Sequence, residues 1–165
     1  FMAAYSGPIT LYYGEEIGME GGADPDCRRP MRWHESDWNH AQRDWVKRLI
    51  ALRQATPALQ YGDIKVLGDR LPRSNALVFL RHTEVPGEAA LVVINLSDQP
   101  VDTLLLLPYS HWYDGVPLVD ALGGAPDTKV QAASLRLHIT PHSGAVYRAV
   151  EPYTNYNFFK ARNRV

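Results

Sequence analysis

The chain holds a single cysteine, Cys27, among 165 residues, so no disulfide can close within it. That suits a reducing compartment, and the opening Phe1-Met2-Ala3-Ala4-Tyr5 has no basic n-region or signal-peptide pattern. The expectation is a cytoplasmic, bacterial-type setting. No apolar run approaches the roughly 20 residues that a bilayer span needs, so no membrane partner is expected. Neither sign of charge dominates: Lys and Arg total 17, Asp and Glu 18, for a formal net charge of -1. Basic residues cluster only as the short pairs Arg28-Arg29 and Lys47-Arg48, which excludes a polyanion-binding stripe and with it a nucleic-acid partner. His138 and His142 stand four apart, but Pro141 between them breaks any helical metal pair. Neither a metal nor a cofactor is expected, and there are no internal repeats or low-complexity tracts.

What is present has the balance of a globular protein, with 45% hydrophobic and 21% charged residues. The length allows one ordinary domain, or a small domain plus a piece of another. The character of the chain changes at Pro57. Phe1–Tyr5 reads as the tail of a helix that begins elsewhere. Ile9–Tyr13 is a short β-prone run, introduced by Gly7-Pro8 and closed by Gly14, as expected of a buried strand. From Glu15 to Asp37 three glycines, two prolines and dense charge predict a loop, and a loop that long within a compact domain is usually functional. A helix follows. Asn39 with Gln42 three residues on is a variant capping box, and Trp45, Val46, Leu49, Ile50 and Leu52 recur on one face until Thr56-Pro57 stops the helix.

Beyond Gly62 the pattern is all β. Seven short runs rich in Val, Leu and Ile (63–67, 76–81, 89–96, 101–107, 116–121, 134–139 and 145–149) are separated by Gly, Pro, Asn and Asp. Their spacing predicts an antiparallel sandwich. Leu104–Leu107 could pass for helix, but Pro100 and Pro108 on its flanks favour a strand. Residues 151–165, with Tyr153, Tyr156, Phe158 and Phe159 followed by Lys160, Arg162 and Arg164, show no clean period and are set apart as an extension.

Leu11-Tyr12-Tyr13-Gly14-Glu15-Glu16-Ile17-Gly18-Met19 resembles the end of the eighth barrel strand in the alpha-amylase family of glycoside hydrolases. Gly21-Gly22-Ala23-Asp24-Pro25-Asp26-Cys27-Arg28-Arg29-Pro30-Met31 with Trp33 is similar to the cyclomaltodextrinase, neopullulanase and maltogenic amylase branch. Leu49–Arg53, Pro57-Ala58-Leu59 and Gly62 resemble the family's eighth helix and its exit into a C-terminal β domain. Pro8 and His34 depart from the family pattern. The resemblance implies the last β/α unit of a (β/α)8 barrel over 1–59, an all-β antiparallel C-terminal sandwich over 60–150, and an extension over 151–165. A whole barrel takes about 250 residues, so its remainder is an implied partner, supplied by a preceding segment or another chain.

The resemblance also implies chemistry. Retaining glycosidases use two carboxyl groups about 5–5.5 Å apart. In this family these lie on the fourth and fifth strands with a third carboxylate after the seventh, so no catalytic residue is expected in this chain. The adjacent pair Glu15-Glu16 is a poor substitute, because neighbours in sequence point apart; loop ordering is the plainer reading. Carried over, Asp24 and Arg28 would hold a glucose unit of an alpha-glucan oligosaccharide, with Glu15 and Trp33 as secondary candidates. Arg28 could equally pair with Asp24 or Asp26 to fold the loop, and Trp33 could pack beside Met31 and Pro30 rather than stack on a sugar. Cys27 reads as a small buried residue, and Asn95-Leu96-Ser97 matches a glycosylation sequon. Three functions follow as alternatives: the C-terminal portion of an alpha-glucan hydrolase acting on maltodextrins or cyclic dextrins; an alpha-1,6-glucosidase or sucrose- or trehalose-converting transglycosylase of the same family; or a non-catalytic β-sandwich that binds sugar or protein.

Overall fold

The computed structural model describes residues 1–68, 76–85, 87–107 and 112–150. The 151–165 extension set apart in the sequence lies outside them. Helix α1 spans His40–Gln54 and the short α2 spans Pro57–Tyr61. The strands are β1 Asp63–Val66, β2 Ala76–His82, β3 Ala89–Asn95, β4 Val101–Leu106, β5 Pro117–Asp120, β6 Thr128–Lys129, β7 Ser134–Ile139 and β8 Gly144–Ala149. All pairings are antiparallel, in one sheet ordered β1-β2-β3-β8-β5-β6 and a second made of β4 and β7. Each of the seven sequence-predicted strands is present. The two-residue β6 was not foreseen, because Thr128-Lys129 is too short to carry a period.

Alternation of side chains explains the layering. Val78 and Leu80 of β2, Leu91 and Val93 of β3, and Tyr147 of β8 face Leu105 of β4 and Leu135, Leu137 and Ile139 of β7, forming the core between the sheets. On β4 the alternate residues Leu104 and Leu106 point outward and stay exposed, so this leucine run is an edge strand rather than helix. β3 is buried on both faces, because the opposite face of the large sheet is covered as well. There Phe79, Ala90, Val92 and Val146 pack with Ala58 and Leu59 of α2 and with Ala4, forming a second apolar cluster.

Local chemistry sets α1. The Asn39 side chain accepts from the Gln42 backbone N–H at 3.0 Å, so the cap forms as expected. The reciprocal half of the box does not: Gln42 Nε2 donates to the Glu15 carbonyl instead, at 2.5 Å. No residue of α1 is fully buried, and Trp45 keeps 45% of its surface exposed. The apolar stripe is therefore only half covered among the described residues. Thr56 caps α2 with Pro57 at its first position. Gly62 then admits no side chain, since a Cβ there would lie 2.6 Å from the carbonyl oxygens of both Ala58 and His82.

One expectation fails. Ile9–Tyr13 forms no strand, so the β half of the predicted barrel unit is not formed here. A strand is defined by its ladder, and among the described residues no neighbour pairs with this run. Phe1–Tyr5 makes one turn, with the Ala4 and Tyr5 N–H groups donating to the Phe1 carbonyl.

Candidate functional site

The loop from Gly14 to Trp38 is built from three single 3-10 turns: Glu15–Ile17, Asp26–Arg28 and Glu35–Asp37. Gly14 starts the first at φ 88°, with the Met19 side chain packed where a Cβ would stand. The Met19 N–H closes back on the Gly14 carbonyl at 2.9 Å. Ile17 is the buried anchor, and its carbonyl accepts from the Asn39 N–H at 2.9 Å, which ties the loop to the start of α1. Glu15 orders the loop locally: its Oε2 accepts from the Tyr12 N–H at 3.2 Å.

Asp24 and Arg28 come together. Arg28 Nε lies 3.2 Å from Asp24 Oδ1, and both side chains are about two-thirds exposed, at 70% and 64%. An ion pair so exposed adds little stability, so its groups remain available to a ligand at small cost. The neighbouring pair was missed by sequence reading. Arg29, not Arg28, grips Asp26, with Nε and Nη2 donating to its two carboxylate oxygens at 2.7 and 2.6 Å. The Arg29 fork and the Gly22 N–H at 2.8 Å hold the Asp26 carboxyl below its ordinary pKa. Arg29 also donates to the Glu20 carbonyl at 3.2 Å, while its own carbonyl accepts from the Tyr13 hydroxyl at 2.9 Å. A side-chain hydrogen bond with Tyr12, followed by burial, raises the Tyr13 phenol above its ordinary pKa. The clue was in the spacing: Asp26 and Arg29 stand three apart across one turn.

Trp33 is the most exposed large apolar residue described, at 78%, so it does not pack beside Met31 and Pro30 as the plainer expectation had it. Trp38 does the packing: its indole N–H donates to the Arg32 carbonyl at 2.7 Å and Arg43 lies 4.8 Å above its ring. Cys27 is exposed rather than buried, since its 3-10 turn sits on the outside of the loop. The sequon is closed to modification in the fold. Asn95 is 1% exposed, and its amide donates to the carbonyls of Gln99, Ile139 and Thr140. His138 and His142 face separate carboxylates, Asp102 and Asp98.

The chain matches no family model. It is 33% identical over 147 residues to neopullulanase 2 of Thermoactinomyces vulgaris, covering 88% of this chain and 24% of that protein. It is also 33% identical over 153 residues to the cyclomaltodextrinase of Geobacillus thermopakistaniensis, covering 93% and 24%. Its fold matches the alpha-amylase of Geobacillus thermoleovorans complexed with acarbose, at TM-score 0.74 and 25% identity, covering 92% of this chain and 32% of that one. Helix, exit and antiparallel β domain thus define a segment of the alpha-amylase family of glycoside hydrolases. Within that class, the relatives that cover most of the chain include a neopullulanase and a cyclomaltodextrinase, and the chain spans about a quarter of their length (24%).

Proposed function

We propose that this chain is the C-terminal portion of an alpha-glucan hydrolase, a retaining glycosidase acting on maltodextrins or cyclic dextrins. In that reading the loop presents Asp24 and Arg28 to one glucose unit, with Trp33 and Glu15 beside them, and the sandwich stabilises the barrel. The bond-breaking carboxylates belong to the rest of the parent protein, and this segment alone is inactive. Homology over most of the chain to proteins named neopullulanase and cyclomaltodextrinase carries the proposal. The exposed fork of Arg28, held by Asp24 in a loop fixed at Gly14 and Ile17, supports it physically. A free-standing binding module fits less well, because the outer face of the large sheet is buried against α2 and Ala4.

In the complete protein, Arg28→Ala is expected to lower kcat/KM on maltodextrins by about 1–3 kcal/mol. Steady-state kinetics on linear and cyclic dextrins and on an alpha-1,6-linked substrate test both the reading and its same-family alternative. A folded variant with unchanged kinetics would leave Arg28 only its role in the loop.

A further inference from the structure

Arg81 stands next to the last residue of β2 and is 1% exposed, yet no carboxylate pairs with it among the described residues. It shares the outer face of the large sheet with Phe79, two residues before it. Its guanidinium is spent on backbone carbonyls: Nε donates to Asp63 at 3.3 Å, Nη1 to Ala4 at 2.7 Å and Nη2 to Gly62 at 2.6 Å. Arg53 of α1 does the same from the other side. Its Nη1 donates to the carbonyls of Ala3 (3.1 Å) and Tyr5 (2.8 Å), and its Nη2 to those of Gly7 (2.5 Å) and Gln60 (3.4 Å). Two like charges are thus held side by side by oriented carbonyl dipoles. Burial, and then the Arg53 charge, pull the Arg81 pKa down. Replacing a buried charged group by an apolar residue of similar volume is often neutral or even stabilising, so stability alone does not account for Arg81.

The clamped segment leads directly into the loop. Gly7 is fixed by Arg53 near the end of α1, and Glu15 by Gln42 near its start. Along the helix axis Gln42 and Arg53 are separated by roughly 16 Å, at 1.5 Å per residue. The run from Gly7 to Glu15 reaches about 26 Å when fully extended. Part of that length is taken up by the turn that the Glu15 N–H closes on the Tyr12 carbonyl at 3.1 Å, so the two ends are coupled not by a stretched chain but by their shared attachment to α1.

We propose that Arg81 is a positioning residue. From within the sandwich it fixes the Ala3–Gly7 segment that Arg53 grips, and so sets α1, to which Gln42 and Asn39 tie the loop bearing Asp24 and Arg28. Its effect on catalysis rests on the function proposed above; its effect on the loop does not.

The test uses the complete parent protein with Arg81→Met, which keeps apolar bulk, and Arg81→Lys, whose ammonium can serve only some of the three carbonyls. Hydrogen exchange and dextrin kinetics are read together. In Arg81→Met, exchange over residues 9–20 rises about ten-fold or more while β3 stays protected. KM for maltodextrins rises about three- to ten-fold with kcat within about two-fold, and Arg81→Lys falls between the variant and the wild type. Unchanged exchange over 9–20, or an equal rise in β3, overturns the proposal, because Arg81 would then only support the fold. Should Arg81→Met fail to fold, Arg81→Lys and Arg53→Lys decide by the same comparison. If the wild-type protein cleaves no alpha-glucan, the proposed function falls while the exchange result still judges the clamp.

Discussion

The sandwich and the Gly14–Trp38 loop are held by different forces. In the sandwich, Leu91, Leu105, Leu118, Leu135 and Leu137 are wholly buried between two sheets, and each such side chain contributes about 1.5–3 kcal/mol by leaving water. In the loop only Gly14 and Ile17 are buried, and order comes from turns, two Asp–Arg pairs and a few backbone contacts with α1. The first arrangement tolerates no change of volume. The second is nearly indifferent to volume but depends on charge and on attachment. A region that must meet a ligand leaves its polar groups accessible, and a region that must not move buries everything.

The largest effect should come from the sandwich. Leu135→Ala empties a site closed on every side and is expected to cost about 3–4 kcal/mol in denaturant unfolding. Next is Asp120, whose carboxylate accepts from the N–H groups of Leu122, Val146, Gly124 and Ala125 at 2.8–3.0 Å. Asp120→Ala leaves those donors without their partner and should cost about 2–3 kcal/mol; a loss below about 1 kcal/mol would mean that water replaces the carboxylate freely. A pH effect follows from Tyr147, wholly buried with its hydroxyl donating to the Pro126 carbonyl, and with a pKa pushed up to about 12 chiefly by burial. The folded state keeps a proton that the unfolded chain releases near 10, so stability present below pH 10 should fall between pH 10 and about 12. Tyr147→Phe should flatten that fall in pH-dependent unfolding. The smallest effect belongs to the loop: Arg28→Ala should shift stability by less than about 0.5 kcal/mol even as it lowers kcat/KM. A large loss of stability there would erase the contrast between the two regions.

Legibility in the sequence followed the same divide. Strands β2, β3 and β7 repeat apolar residues often enough to be read directly, and the Asn39 cap announces α1. β6 has too few residues to show a period, and Ile9–Tyr13 reads as a strand but lacks a ladder here, because composition cannot supply a neighbour. In the loop, Asp24 and Arg28 were singled out and do pair, whereas the Asp26–Arg29 grip and the exposure of Trp33 and Cys27 depended on how three tight turns face. Arg81 was invisible as well. A basic residue at the end of a strand reads as solvent-facing, and only the returning Ala4 segment makes it interior.

Gly62 carries one more consequence. Where α2 hands over to β1, carbonyls from two elements close in from both sides, leaving room for a hydrogen atom and nothing more. At this point α2 and the sheet meet main chain to main chain, beside the side-chain packing of Ala58 and Leu59. Even alanine at this position should pry the two carbonyls apart.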